Sequence, residues 1–442
     1  MFRRKIYETL LEWKNESRGK TALLVEGARR VGKSTIVEEF ARSEYRSYIL
    51  VDFSRAGQSV FSLFDDVSNL NYLFLQLQLQ YGKQLYERES LIVLDEVQLC
   101  PKARQAIKHL VADGRYDYIE TGSLVSIRKN VSKIIIPSEE RKVQMRPMDF
   151  EEFMWAQGDT ATVQLLHEAY HARTPLGEQL NRKIMQDFRL YMLVGGMPQT
   201  VQEYVTTNNL AAVDKVKRDI IGLYEDDFYK ISPSGALSRL FDAIPAQLAK
   251  HASRYQVSSV LANKQAGSIA KELSELVASK AVLAAYHVDD PNVGMAATVD
   301  LRKFKLYLAD TGLFVTLMFK DSDVTENVVY DKLLAGKLPV NMGYVYENIV
   351  AQELTAQGNE LYYHTWEKER AHRNFEIDFL LSRGKKLCPL EVKSSGYKTH
   401  ASLDAFAKKY SSRIGRQYLL YTKDRKADGQ VDCLPVYMTR YL

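Results

Sequence analysis

An apolar run, Leu23-Leu24-Val25, leads directly into Gly27-Ala28-Arg29-Arg30-Val31-Gly32-Lys33-Ser34-Thr35, which has the spacing G-x-x-x-x-G-K-[ST]. No other feature constrains the fold so tightly, because a buried strand must end in a tight turn that opens a helix. Gly27 and Gly32 lack a Cβ, so successive backbone N–H groups can close around phosphates. Lys33 is then placed against the β and γ oxygens of a triphosphate, and Ser34 offers its hydroxyl to Mg²⁺. The helix starting near Thr35 adds the positive end of its dipole. All nine residues are expected contacts of ATP.

One match of this kind arises by chance, so the other half of the site must be found separately. Leu91-Ile92-Val93-Leu94-Asp95-Glu96 reads as a central strand delivering two acids to the carboxyl edge of a parallel sheet. Asp95 is expected to hold the Mg²⁺ shell, and Glu96 to orient and deprotonate the attacking water. A further strand, Tyr116 to Glu120, ends in Thr121-Gly122-Ser123, where Thr121 or Ser123 would sense the γ-phosphate or cap the next turn. Arg141 and Arg146 are the candidates for an arginine directed at the γ-phosphate, and supply of that arginine by a neighbouring subunit would make the chain a homo-oligomer.

The chain has 442 residues, room for about three domains, and a net charge of +5. This mild basic excess is compatible with nucleic acid without requiring it. Cys100, Cys388 and Cys433 are far apart and lack metal-ligand spacing, which argues against zinc and disulfides and for a cytoplasmic setting. Met1-Phe2-Arg3-Arg4-Lys5 resembles a charged leader, but Glu8 and Glu12 follow and no apolar stretch does. The greasiest segment, Leu306 to Phe319, contains Asp310 and is too short for a bilayer, so no membrane association is expected.

A second constellation lies near the C-terminus. Phe375 to Leu381 carries Asp378 within apolar neighbours, a turn follows at Ser382-Arg383-Gly384, and Pro389-Leu390-Glu391-Val392-Lys393 makes the next strand. Strand alternation puts Glu391 and Lys393 on one face. Asp378 and Glu391 could share one Mg²⁺ while Lys393 steadies the attacking water, as in a metal-dependent phosphodiesterase. Glu347, on a helix expected from Val345 to Leu354, is an auxiliary ligand candidate. A salt-bridged triad without catalytic use remains the alternative. From Lys393 to Lys426, nine basic residues face two acidic ones, with Tyr397, Tyr410, Tyr418 and Tyr421 interleaved. Such a face can track a DNA backbone, or it can be a solvated helix face beside a tyrosine-rich core.

The middle is helical. Leu180 to Val205 is broken at Gly195-Gly196-Met197-Pro198, and Val213 to Tyr229 repeats at helical spacing, which suggests a lid. Three short helices, Leu237–Ala249, Gln256–Ala262 and Ser268–Lys280, precede strands Val282–Val288 and Phe304–Leu308. That order is a winged helix. Its reading helix, near Ser268, Lys271 and Glu272, is as acidic as it is basic, which favours an interdomain or partner-binding role over DNA reading.

These motifs also occur in a recognisable order. Gly27 to Thr35, Leu94 to Gln98, Thr121-Gly122-Ser123, Pro147 to Phe153, Gly195 to Pro198, Tyr307 to Leu313, Gly343 to Glu347, and Glu376 to Lys393 follow one another along nearly the whole chain. The chain resembles the bacterial and archaeal AAA-type P-loop ATPases whose C-terminal domain of unknown function is restriction-endonuclease-like, of the PD-(D/E)xK type. It departs from them at Thr121 to Ser123, where the family often has a longer serine run. The resemblance implies ATP, Mg²⁺ and an α/β fold class: a P-loop NTPase parallel sheet (1–155), a helical lid (156–233), a winged-helix middle (234–320) and an endonuclease-like α/β domain (321–442). Two functional readings follow. In one, nucleotide state controls a DNA-directed nuclease module; in the other, an inactive C-terminal domain docks a protein or DNA partner. A small-molecule kinase is disfavoured, since no acceptor pocket is evident.

Overall fold

Leu91–Leu94, Leu23–Val25 and Tyr118-Ile119 carry apolar side chains to both faces, and strands of that kind are stable only when covered on both sides. The computed structural model shows β1 (Ala22–Gly27), β2 (Ser47–Asp52), β3 (Ser90–Asp95), β4 (Asp117–Gly122) and β5 (Glu140–Met145) in one five-stranded sheet, ordered β2-β3-β4-β1-β5. All neighbours are parallel. The structure describes residues 1–123, 136–250, 252–262, 264–321, 327–335, 343–368, 374–397 and 399–442.

Met1–Arg146 with Ala278–Lys280 forms one unit; Pro147–Val277 with Ala281–Leu442 forms the other. In the first, Leu24, Ile49, Val51, Ile92, Leu94 and Tyr118 join Leu73 and Leu77 of helix Leu70–Tyr81 and Ile107 and Leu110 of helix Pro101–Asp113 in one core. Arg141 and Lys142 of β5 are exposed and suit an edge strand, where they discourage further pairing, whereas Glu140 buries its carboxylate against Arg104 at 2.8 Å. Because β4 lies between β1 and β3, its carboxyl end is level with both. Val25 pairs with Thr121, and Leu94 with Glu120.

The second unit begins with helices. Asp149 caps Phe150–Ala156 in a reciprocal box with Glu152. The break expected at Gly195 to Pro198 separates helix Glu178–Val194 from helix Pro198–Thr207, and Leu210–Ile231 follows. Asp310 ties this break to the rest of the unit: its carboxylate accepts from Gly196 N at 2.6 Å and from Leu313 N at 2.9 Å. A Cβ on Gly312 would lie 2.6 Å from Val194 O, so the two glycine motifs serve a close backbone approach.

The expected three-helix segment differs from the sequence reading. Pro245 lies in the first turn of Ile244–Ala249, separating it from Ala236–Asp242. Between Gln256 and Ala262 there is only a 3₁₀ turn, Val257–Ser259, and the third helix, Ala270–Ala278, is preceded by a 3₁₀ turn at Ala266–Ile269.

The strands expected as a wing, β6 (Val282–Val288) and β7 (Val299–Leu308), belong to an eight-stranded sheet instead. Its other members are β8 (Leu361–Glu367), β9 (Asn374–Arg383), β10 (Lys386–Val392), β11 (Gln417–Tyr421), β12 (Lys426–Asp428) and β13 (Val431–Pro435). The order is β12-β13-β11-β10-β9-β8-β6-β7. Antiparallel β8-β9-β10 gives way to parallel β10-β11 across helix Ala401–Lys409. Helix Gly343–Ala356, which is longer than expected and largely buried, precedes β8 and packs on β7, β8 and β10. Of the basic stretch from Lys393 to Lys426, residue 398 lies outside the described residues.

Candidate functional site

The loop after β1 is held from several sides. A Cβ on Gly27 would come within 2.2 Å of Met145 O, so β5 leaves room there only for glycine. Arg30 and Gly32 have φ of 69° and 95°, a left-handed backbone that glycine adopts without cost and arginine does not. Lys33, at the start of helix Lys33–Glu44, is buried and donates to Gly27 O at 3.2 Å and Ala28 O at 2.9 Å. Burial lowers its pKa below the usual lysine value and Arg29 adds to this, while Glu96 and Asp95 oppose it. A triphosphate at this ammonium would offset the same penalty with opposite charge.

The acids of β3 meet the loop. Ser34 Oγ donates to Asp95 Oδ1 at 2.7 Å, and the Thr121 hydroxyl donates to the same oxygen. Glu96 N donates to Thr121 Oγ1 at 3.2 Å, so one hydroxyl at the end of β4 fixes both acids. Glu96 has φ 54° and ψ 46°, a conformation that costs a non-glycine residue about 1–3 kcal/mol and is retained where surroundings enforce it. Its carboxylate accepts from the Gln98 side-chain amide.

The donor set suits Mg²⁺. Ser34 and Asp95 present hydroxyl and carboxylate oxygens side by side, which is hard-cation chemistry. Among the described residues no three His, Cys, Asp or Glu side chains form a metal cage.

Arg4 escaped the sequence reading. Its guanidinium donates to Val31 O in the loop at 3.1 Å and to Arg146 O after β5 at 2.6 Å, bridging the two segments. A lone arginine before the first helix carried no spacing signal that could reveal this. The two arginines proposed for the γ-phosphate fare differently. Arg141 is level with Leu23, at the far end of β1 from the loop, and pairs with Glu16 at 3.1 Å. Within its own unit Arg141 is therefore misplaced for that role. Arg146 follows Met145, which is level with Gly27; its side chain donates to Gln144, and burial pulls its pKa down to about 10.

The C-terminal residues also meet, but not as bare ligands. Glu391 lies one step past the Leu390–Phe379 pair, opposite Asp378. Asp378 Oδ2 accepts from Val392 N at 2.7 Å, and Lys393 forms an ion pair with Glu391. Lys305 of β7 pairs with Glu376 and lies 3.6 Å from Glu347, while Tyr307 donates to Glu347 at 3.4 Å. Burial raises the Asp378 pKa well above the usual carboxylate range; Glu347, Glu376 and Glu391 add to this, and Lys305 opposes it. Lys305 was not singled out from the sequence, and Tyr307 and Glu376 stood out only as the first residues of ordered motifs, without a role in this site. The alternation Lys305-x-Tyr307 on one strand was the available signal, but nothing showed that β7 joins this sheet.

A separate groove of about 550 Å³ is lined by Arg254, Lys264, Arg302 and Lys303, with Gly267 and Asp300. Asp300 lies 3.1 Å from Arg302 and 3.3 Å from Lys303, leaving the lining with a basic excess.

The AAA domain family (AAA_14) matches residues 19–154, and two domains of unknown function match residues 185–324 (DUF8612) and 342–438 (DUF4143). With the loop, the paired acids and the parallel sheet, this defines the amino-terminal part as an AAA-type P-loop ATPase domain. No curated protein sequence matches. Among solved structures, the Walker-type ATPase PABY2304 of Pyrococcus abyssi is 16% identical over 72% of this chain and 96% of its own, with a TM-score of 0.42. The Orc1 protein of Aeropyrum pernix, solved in complex with DNA, is 12% identical over 76% of this chain and 93% of its own, with a TM-score of 0.27. At these scores neither likeness carries the assignment. Among the described residues no helix is long and apolar enough to cross a membrane.

Proposed function

We propose that the protein is a Mg²⁺-dependent ATPase whose nucleotide state controls a C-terminal module of restriction-endonuclease-like build that engages DNA. One observation carries the first half: a single hydroxyl, Thr121, holds Asp95 and the backbone of Glu96, while Ser34 of the loop bonds the same Asp95. Gly27 to Thr35 would hold the phosphates, Lys33 the β and γ oxygens, and Ser34 with Asp95 the ion. Glu96 would take a proton from the attacking water.

The endonuclease-like reading of residues 321–442 is supported by connectivity. A helix, three antiparallel strands, a helix and a parallel strand succeed one another from Gly343 to Tyr421, with Asp378 and Glu391 on adjacent strands. The winged-helix reading of 234–320 rests on its helices followed by the β6–β7 hairpin, whose strands extend that sheet. The groove between Arg254 and Lys303 supplies positive charge for phosphates, and the segment from Lys393 to Lys426 adds more.

ATP turnover measured with and without duplex DNA tests the coupling. Stimulation by DNA is the expected result, and identical turnover in both conditions contradicts it. DNA binding should weaken steeply with salt, since phosphate contacts release counterions.

The alternative, a module that docks without cutting, is favoured by one feature: both candidate metal ligands already have partners, Asp378 the Val392 N–H and Glu391 the Lys393 ammonium. Supercoiled DNA incubated with ATP and Mg²⁺ or Mn²⁺ separates the two readings. Cutting that is lost in both Asp378→Ala and Lys393→Ala supports the nuclease; DNA that is bound but intact supports docking.

A further inference from the structure

The carboxylate cluster of the C-terminal module does not fit a divalent ion as it stands. Four acids converge there: Glu347 from helix Gly343–Ala356, Glu376 and Asp378 from β9, and Glu391 from β10. An ion shared by such carboxylates needs their oxygens about 2.0–2.6 Å from one centre. Instead, a buried ammonium lies among them. Lys305 is 7% exposed, pairs with Glu376, lies 3.6 Å from Glu347 and sits 5.5 Å from the centre of the Tyr363 ring.

The sheet makes this reach possible. Lys305 is on the edge strand β7, and its cross-strand partner on β6 is Ala285, whose methyl leaves the face open for a long stem. Tyr307, two residues along the same strand and on the same face, holds Glu347 by its hydroxyl. A compact ammonium with three donors can satisfy several carboxylate oxygens at once, which a buried lysine requires. Burial works against the charge, but Tyr307 and the carboxylates of Glu347, Glu376 and Asp378 together outweigh it and hold the Lys305 pKa well above the usual lysine value. Glu391 Oε2, also buried, has no hydrogen-bond partner among the described residues, so the cluster keeps acceptor capacity beyond what its lysines use.

We propose that Lys305 is a built-in cation standing in the place of a divalent ion, so that the module holds no metal at this cluster while that ammonium is seated. This rests on the endonuclease-like reading of the module. It makes the module a DNA-engaging part whose acids are held by a lysine of β7 rather than by a metal.

The test reads ion binding rather than turnover, so it stands apart from the ATPase reading. Full-length protein without nucleotide is titrated with Mn²⁺ and followed by electron paramagnetic resonance, as wild type, Lys305→Met, Lys305→Arg and Lys305→Met with Asp378→Asn. Any ion at the phosphate loop is common to all four. The expected result is one further bound ion in Lys305→Met, with affinity raised roughly tenfold or more over wild type, and its loss when Asp378→Asn is added. Lys305→Arg keeps the charge and should behave as wild type. Removing the ammonium leaves acids facing one another, so the stability of Lys305→Met is measured as well. Millimolar Ca²⁺ should raise its melting temperature by clearly more than that of the wild type. Equal ion binding in wild type and Lys305→Met overturns the proposal, as does a Lys305→Met protein that no divalent ion stabilises.

Discussion

Lys33 and Glu96 divide the work at the loop, and their substitutions should separate binding from chemistry. Lys33→Ala removes the ammonium that now donates to Gly27 O and Ala28 O, and calorimetry should show ATP binding lost or severely weakened. Glu96→Gln keeps size and hydrogen-bond geometry but cannot accept a proton. ATP should still bind, with turnover falling roughly 10²- to 10⁴-fold. Arg4 offers a less obvious test. Its two bonds run from a charged donor to carbonyls of different segments, each worth about 1.5–3 kcal/mol. Arg4→Met should lower the denaturant midpoint and weaken ATP binding together, by loosening the loop from β5. An effect on stability with unchanged ATP affinity would show that the bridge serves folding alone.

Elements carry the pH dependence. On β8, His364 is 3% exposed, with Nδ1 2.7 Å from Val288 O and Nε2 3.2 Å from the Tyr410 hydroxyl, an arrangement that suits the neutral ring with its proton on Nδ1. Burial brings its pKa down to about 4, and His287 and Lys409 press the same way. A folded-state pKa below the unfolded value near 6.5 means the unfolded chain binds the extra proton. The contribution is therefore complete above about pH 6.5 and is lost as the pH falls towards 4, on the order of 3 kcal/mol in all. Urea midpoints at pH 7 and pH 5 should differ more for the wild type than for His364→Gln; equal differences would remove His364 as the cause. A second element-scale test concerns the glycine contact. With a Cβ 2.6 Å from Val194 O, Gly312→Ala should destabilise by about 1–3 kcal/mol, measurable by thermal melting.

What the sequence made legible follows from the range of the forces involved. The loop, Asp95-Glu96 and the apolar strands could be read because local spacing determines them, and the structure brings Ser34, Asp95, Glu96 and Thr121 together. The sequence offers Thr121 or Ser123 as a γ-phosphate sensor or as a cap of the next turn, and in the structure the Thr121 hydroxyl bonds Asp95 and the Glu96 N–H. Strand alternation likewise brought Lys393 to Glu391. Lys305 and Arg4 were illegible because each acts across a long separation, 71 residues to Glu376 and 142 to Arg146. The wider pairing of the expected wing hairpin was illegible for a related reason: β6 and β7 pair with each other as read, and only the parallel pairing of Ala285 to His287 with Leu361 to Tyr363 commits them to the larger sheet.

At the scale of the whole molecule, the account joins an ATPase domain to a DNA-engaging module whose acids are neutralised from within. Control of the module by nucleotide state depends on hydrolysis at the loop. The most direct measurement is steady-state ATP turnover of the full-length protein in Mg²⁺, with wild type and Glu96→Gln compared after both are shown to bind ATP. The account predicts Mg²⁺-dependent phosphate release by the wild type that the substitution nearly abolishes. Equal release by the two proteins, or none by an ATP-bound wild type in the presence and absence of DNA, would contradict it.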